Sequence, residues 1–227
     1  LLPNFSQNLN KISKIKIQSY QNSYYLLKKN NQWVAPEHYN YPLNTKELNE
    51  FLLEIGNLKL LDKKTNESKY HNRLGLAIPI EKDKISKVIK FYGYDNKTLY
   101  SFIIGNKAKI SNNDRLFYIR KVNDDQSWIF LNNLVIHEKS LNWTNTDLVM
   151  LARWRIKSIK FKNNKDKKNN FEIVRNNYSD SSFRFNNMPK NYEIIKPFKE
   201  NKIASSLELI DIKSINKIDN IKNNKLL

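Results

Sequence analysis

The chain has 227 residues, no cysteine, and 40 lysine and arginine residues against 22 aspartate and glutamate residues, a formal net charge of +18 at pH 7. The lack of cysteine excludes disulfides, cysteine-ligated zinc, iron–sulfur clusters and a thiol nucleophile. With 40% hydrophobic and 12% aromatic residues, the composition is typical of a folded globular protein with one large domain or two small ones.

The positive charge has two interpretations. A basic chain favours nucleic acid, anionic lipid or another acidic partner. Here the basic residues are spread along the whole length, whereas a nucleic-acid-binding arm clusters them. The excess is mostly lysine in a chain rich in asparagine and isoleucine, which is the composition that an AT-rich genome produces. We therefore favour compositional drift, and keep a basic nucleic-acid-binding module as the alternative.

A membrane-spanning segment is not evident in the sequence. The longest apolar stretch, Leu74–Ile80, is interrupted by Gly75 and Pro79, and it is far shorter than the roughly 20 residues that a spanning helix needs. Because the chain starts at Leu1 and not at methionine, we expect an upstream signal peptide or anchor helix.

The first part of the chain predicts a helical turn followed by three strands. The turn falls at Asn4–Leu9. Alternating apolar and charged residues predict a strand at Ile15–Ile17, and further candidate strands lie at Tyr24–Leu27 and Trp33–Ala35.

The clearest helix in the sequence spans Asn44–Asn57, and a strand at Leu58–Leu61 follows it. Asn44 is placed to cap the first turn, with Glu47 at the capping-box position, and Gly56 supplies the stop. One face of this helix collects four apolar residues that we expect to be buried: Leu48, Phe51, Leu52 and Ile55.

The central region predicts an antiparallel meander. Its aromatic and β-branched runs are Lys87–Tyr92, Leu99–Ile104, Arg115–Lys121 and Ser127–Leu131. Turns are predicted at Gly93–Asn96, Asn112–Asp114 and Asn123–Gln126. A short helix is expected over Asn142–Leu151, anchored by Trp143 and Leu148.

The last third repeats the opening pattern. Strands are predicted around Ile156, Ile159 and Phe161, then at Phe171–Arg175, Phe183–Met188 and Ile212–Ile218, with a polar tail at Asn220–Leu227. A helix over Glu200–Ile210 carries Ile203, Ala204, Leu207 and Ile210 on one face.

These elements predict an α+β fold, mainly antiparallel β, in which two β-β-β-α-β-like units flank a central β-meander. The predicted parts are residues 1–62 for the first β/α unit, 63–152 for the meander with its short helix, 153–218 for the second unit and 219–227 for the tail.

No catalytic, cofactor-binding or metal-binding residue can be nominated. His38, His71 and His137 have no histidine or carboxylate at helical metal-ligand spacing, so we expect exposed or hydrogen-bonded histidines. Gly56, Gly75, Gly93 and Gly105 are too scattered in sequence for a phosphate loop.

Three further clusters have candidate functional roles, and in each the sequence favours a structural interpretation or lacks part of the functional pattern. The pair Asp124–Asp125 fits a turn better than acid–base chemistry. In Arg153–Trp154–Arg155 the indole has three candidate roles, namely stacking on bases, lying at a membrane interface and packing at a helix-to-strand junction, and we favour packing. Phe117, Tyr118 and Arg120 resemble an aromatic-basic RNA-binding strand, but the glycine-rich pattern of such a strand is missing.

Several short motifs occur in an order that resembles the bacterial domain-of-unknown-function 4340 family, particularly its alphaproteobacterial branch. They include Trp33, Tyr41–Pro42–Leu43, Lys63–Lys64–Thr65, Tyr70, Arg73–Leu74–Gly75–Leu76, Ile104–Gly105–Asn106–Lys107, Tyr118–Ile119–Arg120, Ser127–Trp128–Ile129, Asn142–Trp143 and Arg155–Ile156–Lys157–Ser158–Ile159, with Val174–Arg175, Phe183–Arg184–Phe185 and Met188–Pro189 in the C-terminal half. The resemblance covers nearly the whole chain and brings no catalytic residues with it.

The resemblance implies a non-enzymatic, envelope-associated protein, anchored in the inner membrane with this domain on the periplasmic side. Relatives of this kind are often encoded beside gliding-motility-type ABC-transporter components. We therefore expect an accessory or binding component of such a system, with envelope or transporter proteins as partners and no cofactor.

Overall fold

The computed structural model describes residues 2–78, 86–108, 115–131, 134–163, 170–186, 188 and 199–217. The predicted turn at 112–114 and the predicted tail lie outside the described residues.

Strands dominate the described part of the chain. They are β1 (Ile12–Gln18), β2 (Ser23–Lys29), β3 (Gln32–Ala35), β4 (Tyr41–Pro42), β5 (Lys59–Lys63), β6 (Lys87–Gly93), β7 (Thr98–Lys107), β8 (Leu116–Lys121), β9 (Ser127–Leu131), β10 (Asp147–Val149), β11 (Ser158–Phe161), β12 (Phe171–Val174), β13 (Arg184–Asn186) and β14 (Ile210–Asp211).

Helices are fewer and mostly short. The α-helices of the described residues are α1 (Thr45–Gly56), α2 (His71–Leu74) and α3 (Lys199–Ser205). Single 3-10 turns occur at Ser6–Lys11, Pro36–His38, Ser68–Tyr70, Ser140–Trp143 and Arg153–Arg155. No helix in the described ranges is both long and apolar enough to cross a membrane.

The chain divides into two compact units, one formed by Leu1–Asn145 with Ser214–Leu227 and the other by Thr146–Lys213. In the first unit, a nine-stranded antiparallel sheet has the order β4-β3-β2-β1-β6-β7-β8-β9-β5. The predicted α+β, mainly antiparallel class is confirmed. The predicted division into four parts stays a prediction, and β1 pairs directly with β6, so the predicted first unit and meander share one sheet.

The main core of the first unit lies on one face of this sheet, the helix face, where α1 packs. Successive strand residues point to opposite faces, which is why Ile15 and Ile17 are buried here. From α1, Leu48, Phe51 and Ile55 are buried as predicted. Leu52, which is predicted to be buried with them, is only partly buried against this core.

The start of α1 follows half of the predicted capping box. The Asn44 side chain accepts a hydrogen bond from the Glu47 amide at 3.3 Å, as an N-cap does. The Glu47 carboxylate does not return to Asn44, whose own amide donates to the Trp143 carbonyl at 2.7 Å. Since that amide already has a partner, the carboxylate is available to pair with His137, at 2.6 Å.

The predicted helix over Asn142–Leu151 is wrong. A single 3-10 turn ends at Trp143, which is fully buried, and the chain then extends into β10. β10 pairs with β14, so its backbone groups bond between strands instead of within a helix. Leu148, the second expected anchor, is 64% exposed.

The second unit contains a three-stranded sheet, β11-β12-β13, and the two-stranded ribbon β10-β14. Ile156, Ile173, Phe183 and Ala204 form its small core. The helix predicted to reach Ile210 ends at Ser205, because the Ser206 hydroxyl donates to the Ile203 carbonyl at 2.7 Å and competes with the helical backbone bond. The closing strand lies at Ile210–Asp211, so the strand predicted at Ile212–Ile218 is wrong over its described residues, 212–217.

Candidate ligand-binding cleft

The segment at 64–77, which follows β5, crosses the sheet on the side opposite to α1, which we call the cleft face. Leu76, from this segment, is fully buried against Val88 of β6 and Ile103 of β7. Val88 and Ile103 alternate along their strands with Ile89 and Phe102 of the main core. They therefore point to the other face of the sheet, which residues 64–77 cover in part.

Two buried polar residues hold this segment in place. Arg120 donates from Nε to the Leu76 carbonyl at 2.9 Å, and from Nη1 to carbonyls of the β8–β9 turn. His71 is 2.9 Å from the Asp125 carbonyl through Nε2. That oxygen can only accept, so Nε2 carries the proton. Burial lowers the pKa of the Arg120 guanidinium, and the four carbonyls around Arg120 accept from its Nε and Nη1 atoms.

Two glycines that are 30 positions apart meet where the segment passes β7. A Cβ on Gly105 would lie 2.2 Å from the Leu74 carbonyl oxygen and 2.8 Å from the Gly75 carbonyl oxygen. Gly75 itself has φ +67°, a conformation that favours glycine. Asn106 completes the junction by donating from Nδ2 to the Arg73 carbonyl at 3.2 Å. This junction is a close backbone approach and not a phosphate loop, so the expectation that the glycines are too scattered for a phosphate loop stays a prediction.

A cleft of about 980 Å³ opens beside this junction. Among the described residues, its lining combines cations, phenols, one carboxylate and neutral polar groups: Lys64, Arg73 and Lys107, Tyr70 and Tyr118, Glu67, Thr65 and Asn106, with Leu74 as the apolar member. The residues come from three places in the sequence, which the sheet and the segment at 64–77 bring together.

The cleft carries an excess of positive charge. Glu67, the one carboxylate in the described lining, is already paired with Lys69 at 2.5 Å, so it offsets little of the charge of Lys64 and Arg73. Among the described residues, the Arg73 guanidinium makes no hydrogen bond or ion pair. The phenols of Tyr70 and Tyr118 add neutral hydrogen-bonding groups. Chemically, such a cleft suits a carboxylate- or phosphate-bearing group.

The three histidines have hydrogen-bond partners at separate places. His38 Nε2 is 3.1 Å from the Ser140 hydroxyl, and His137 is paired with Glu47. The described residues contain no group of three or more histidine, aspartate or glutamate side chains placed to hold a metal ion. Asp124 accepts from the Gln126 amide at 2.9 Å, the local turn bond expected for it.

The aromatic-basic candidates are dispersed. Trp154 lies in the 3-10 turn Arg153–Arg155 and is 69% exposed, so the preferred interpretation, packing at a helix-to-strand junction, is wrong. Of the β8 candidates, Phe117 packs on Phe130 at 5.9 Å on the helix face and Arg120 is buried. Only Tyr118 reaches the cleft.

Sequence reasoning nominated no cleft residue, although five of its family-like motifs contribute to this site: 63–65, Tyr70, 73–76, 104–107 and 118–120. The recurrence of glycine in two of these motifs, at Gly75 and Gly105, is the signal that could have found it. A glycine that no turn requires often marks a close backbone approach.

The fold and the cleft define an α+β chain, mainly antiparallel β, with a cationic cleft on the sheet of its first unit. The chain belongs to the family described as Domain of unknown function (DUF4340), whose model matches residues 33–226. The match includes every residue of the cleft. Comparisons with curated proteins and with solved structures find no match.

Proposed function

We propose that this chain is a non-catalytic, envelope-associated binding domain, an accessory component of a gliding-motility-like ABC-transporter system, whose cleft binds an acidic segment of a protein partner. The family resemblance motivates the setting, namely an inner-membrane anchor with the domain on the periplasmic side and envelope or transporter proteins as partners. It also motivates placement in the alphaproteobacterial branch.

The observation that carries the proposed binding role is the convergence of Lys64 and Arg73 on one cleft, where Glu67, the carboxylate of the described lining, is already paired. The edge strand β5 runs directly into Lys64 and Thr65. An extended peptide lying along that edge would therefore bring its carboxylates to the cleft. The glycine junction and the buried bonds of Arg120 hold these cations on a rigid support.

The test is fluorescence anisotropy with a labelled hexaglutamate probe at about 150 mM salt, where diffuse attraction is strongly screened. Arg73→Gln and Lys64→Gln are each expected to weaken binding about tenfold, the usual effect of losing one charge-assisted hydrogen bond. Lys46→Gln is the matched control, because it removes one exposed charge from α1, far along the chain from the cleft residues. Equal losses in all three variants would show that net charge alone binds the probe and that the cleft does not.

The envelope setting has its own test. Full-length protein, tagged at its C-terminus and expressed in its native cells, should become sensitive to external protease in spheroplasts. Protection in intact spheroplasts and degradation only after lysis would contradict the periplasmic placement. The probe titration tests the binding role of the cleft separately.

A second candidate, nucleic-acid binding, is favoured by a lysine–tyrosine face on the cleft side of the sheet, formed by Lys14, Lys16, Tyr25, Lys90 and Tyr92. Lys16 lies directly opposite Lys90, and like charges in that arrangement destabilise a sheet. However, Lys14 and Lys16 lie over the tyrosine rings at 4.5–5.8 Å. The chain's own cations thus occupy the rings on which bases would stack, which is why this candidate ranks second.

We also propose that the two β-β-β-α-β-like units, about 15–61 and 156–218, are an internal repeat. In each, a run of three paired antiparallel strands, β1-β2-β3 or β11-β12-β13, precedes an α-helix, and the first segment adds the two-residue β4. The strand after the helix pairs outside that run, β5 with β9 and β14 with β10. Superposition of the two segments in an experimental structure is the test. A different strand order or helix position would contradict duplication.

A further inference from the structure

In the second unit, the connection between β12 and β13 folds into a turn with a cavity of about 460 Å³. The Asp180 carboxylate shapes this turn by accepting the amides of Asn176 and Asn177, each at 3.0 Å. Arg175 lies at the start of the turn and Arg184 at its end, and both line the cavity.

Arg175 is the unusual member of this lining, since it is only 6% exposed. Its Nη atoms donate to the carbonyls of Asp180, Arg153 and Trp154. Its guanidinium also lies 5.1 Å from the ring centre of Phe183. The Nε atom, by contrast, is buried without a hydrogen-bond partner among the described residues. No carboxylate within those residues forms an ion pair with it.

Arg120 of the first unit is a useful comparison, because it is a buried arginine that has an Nε hydrogen bond and carboxylate charges nearby. Its Nε donates to the Leu76 carbonyl at 2.9 Å, and the charges of Asp124 and Asp125 favour its protonated form. Arg175 lacks the equivalent Nε bond, and the nearby carboxylate, Asp180, is engaged by backbone amides. A buried cation without a counter-charge is costly, so an anion bound beside Arg175 would stabilise this arrangement.

The remaining cavity lining supplies donors for such an anion. Ser179, Ser181 and Ser182 contribute three hydroxyls that form no hydrogen bond within the described residues. Arg184 is exposed and directs one nitrogen to the Asn176 side chain at 2.7 Å, which leaves the other donors of its fork available. A planar cation and several hydroxyls around a small polar cavity match the acceptor oxygens of a phosphate group.

We infer that the cavity of the β12–β13 turn is an anion site for a single phosphate group, supplied as free phosphate or as a small phosphate ester. The group would accept from Arg184 and the serine hydroxyls and lie beside the buried charge of Arg175. This site belongs to the second unit and is independent of the cleft proposed above.

The test is an NMR titration of the full chain with inorganic phosphate, and separately with glycerol 3-phosphate. Sodium chloride at matched ionic strength controls for general screening. The Nε–H resonance of Arg175 is the reporter, because its burial protects it from exchange. It is expected to shift saturably with phosphate and not with chloride. Tighter binding of glycerol 3-phosphate would identify the ester as the source, and equal or weaker binding would identify free phosphate.

Arg175→Gln risks unfolding the unit, so Arg184→Gln carries the test. It is expected to weaken phosphate binding about tenfold, in line with loss of a charge-assisted hydrogen bond. Arg155→Gln is the matched control, since it removes an exposed arginine that does not line the cavity. An unsaturable shift, an equal shift with chloride, or equal affinity of the Arg184→Gln and Arg155→Gln variants would overturn the inference.

Discussion

At the scale of single residues, Tyr24 joins three parts of the first unit. Its hydroxyl accepts from Trp143 Nε1 at 2.8 Å and donates to the His137 carbonyl at 2.5 Å. His137 in turn packs edge-on against Trp143 and pairs with Glu47 at the start of α1. These bonds fix the loop before Trp143 against β2 and α1, so Tyr24 has a structural role that its sequence context did not indicate.

Tyr24 predicts a stability change at high pH. Burial raises the pKa of its phenol above the ordinary value of about 10. The folded state therefore keeps a proton that the unfolded state loses. The resulting stabilisation is fully present below pH ~10 and is lost as pH rises beyond that value. Urea melts at pH 8 and pH 11 should show that the free energy of unfolding declines between these two pH values. The decline should be smaller in Tyr24→Phe by about 1 kcal/mol, the effect of one pH unit.

The control for that measurement is Tyr94→Phe, because Tyr94 is exposed. Its decline between the two pH values should match that of the unsubstituted chain. At pH 8, Tyr24→Phe is itself expected to cost about 1–3 kcal/mol, because it leaves Trp143 Nε1 unpaired in the core. A decline in Tyr24→Phe equal to that of the unsubstituted chain would contradict the raised pKa.

Phe51 is the second residue whose role is measurable directly. It is buried between α1 and the sheet, with its ring 5.0 Å from Trp143 and 6.4 Å from Phe91. Phe51→Ala should lower the free energy of unfolding by about 3–5 kcal/mol in a denaturant melt. Leu53→Ala, on the exposed side of α1, should change it by less than about 0.5 kcal/mol. A loss below roughly 1 kcal/mol for Phe51→Ala would mean that α1 packs through another face.

At the scale of elements, the segment at 64–77 determines whether the cleft exists. It contains only short helical turns, so its own hydrogen bonds do not hold it in place. The buried contacts of Leu76, the bonds of His71 and Arg120, and the close approach of Gly75 to Gly105 keep it on the sheet.

Gly105→Ala tests this junction. The added methyl group would meet the backbone of Leu74 and Gly75, which cannot rotate away as a side chain does. We expect a loss of about 1–3 kcal/mol in unfolding free energy, the usual effect of overpacking, together with weaker binding of the hexaglutamate probe. Gly56→Ala is the control, because its methyl group would meet only the side chains of Ser6 and Phe5. Unchanged stability and probe binding in Gly105→Ala would show that the segment is held by other contacts.

At the scale of the whole molecule, the charge of +18 is distributed over several surfaces. Lys14, Lys16 and Lys90 lie on the cleft face, whereas Lys87 pairs with Glu138 at 2.6 Å and donates to the Ile136 carbonyl. A field of this kind attracts polyanions without fixing their register.

Binding of single-stranded or duplex nucleic acid is therefore expected to be weak, independent of sequence and strongly dependent on salt. The measurement is an anisotropy titration with labelled oligonucleotides at several salt concentrations that include about 150 mM. Lys16→Gln and the exposed control Lys46→Gln should weaken binding equally. Submicromolar affinity at about 150 mM salt with preference for one sequence or structure would favour the nucleic-acid alternative over the envelope-accessory proposal.

The sequence by itself determined most of the local structure of the described residues. The central strands, α1 with three of its four apolar anchors, and the coarse α+β class follow from hydrophobic periodicity and turn residues, because neighbouring residues encode which face of an element is buried. The helix predicted at 142–151 failed where strand pairing supplied the backbone bonds that a helix would otherwise make.

Only the tertiary structure decided the two candidate sites. The cleft joins residues 64–74, 106–107 and 118, and the bonds that assemble it run from His71 and Arg120 to backbone carbonyls. Every residue has a backbone carbonyl, so the sequence does not indicate which residue accepts these hydrogen bonds. The same holds for Arg175, whose burial and unpaired Nε result from how the β12–β13 turn folds over it. Long-range packing, which local patterns do not encode, therefore determines where the charges of this chain converge.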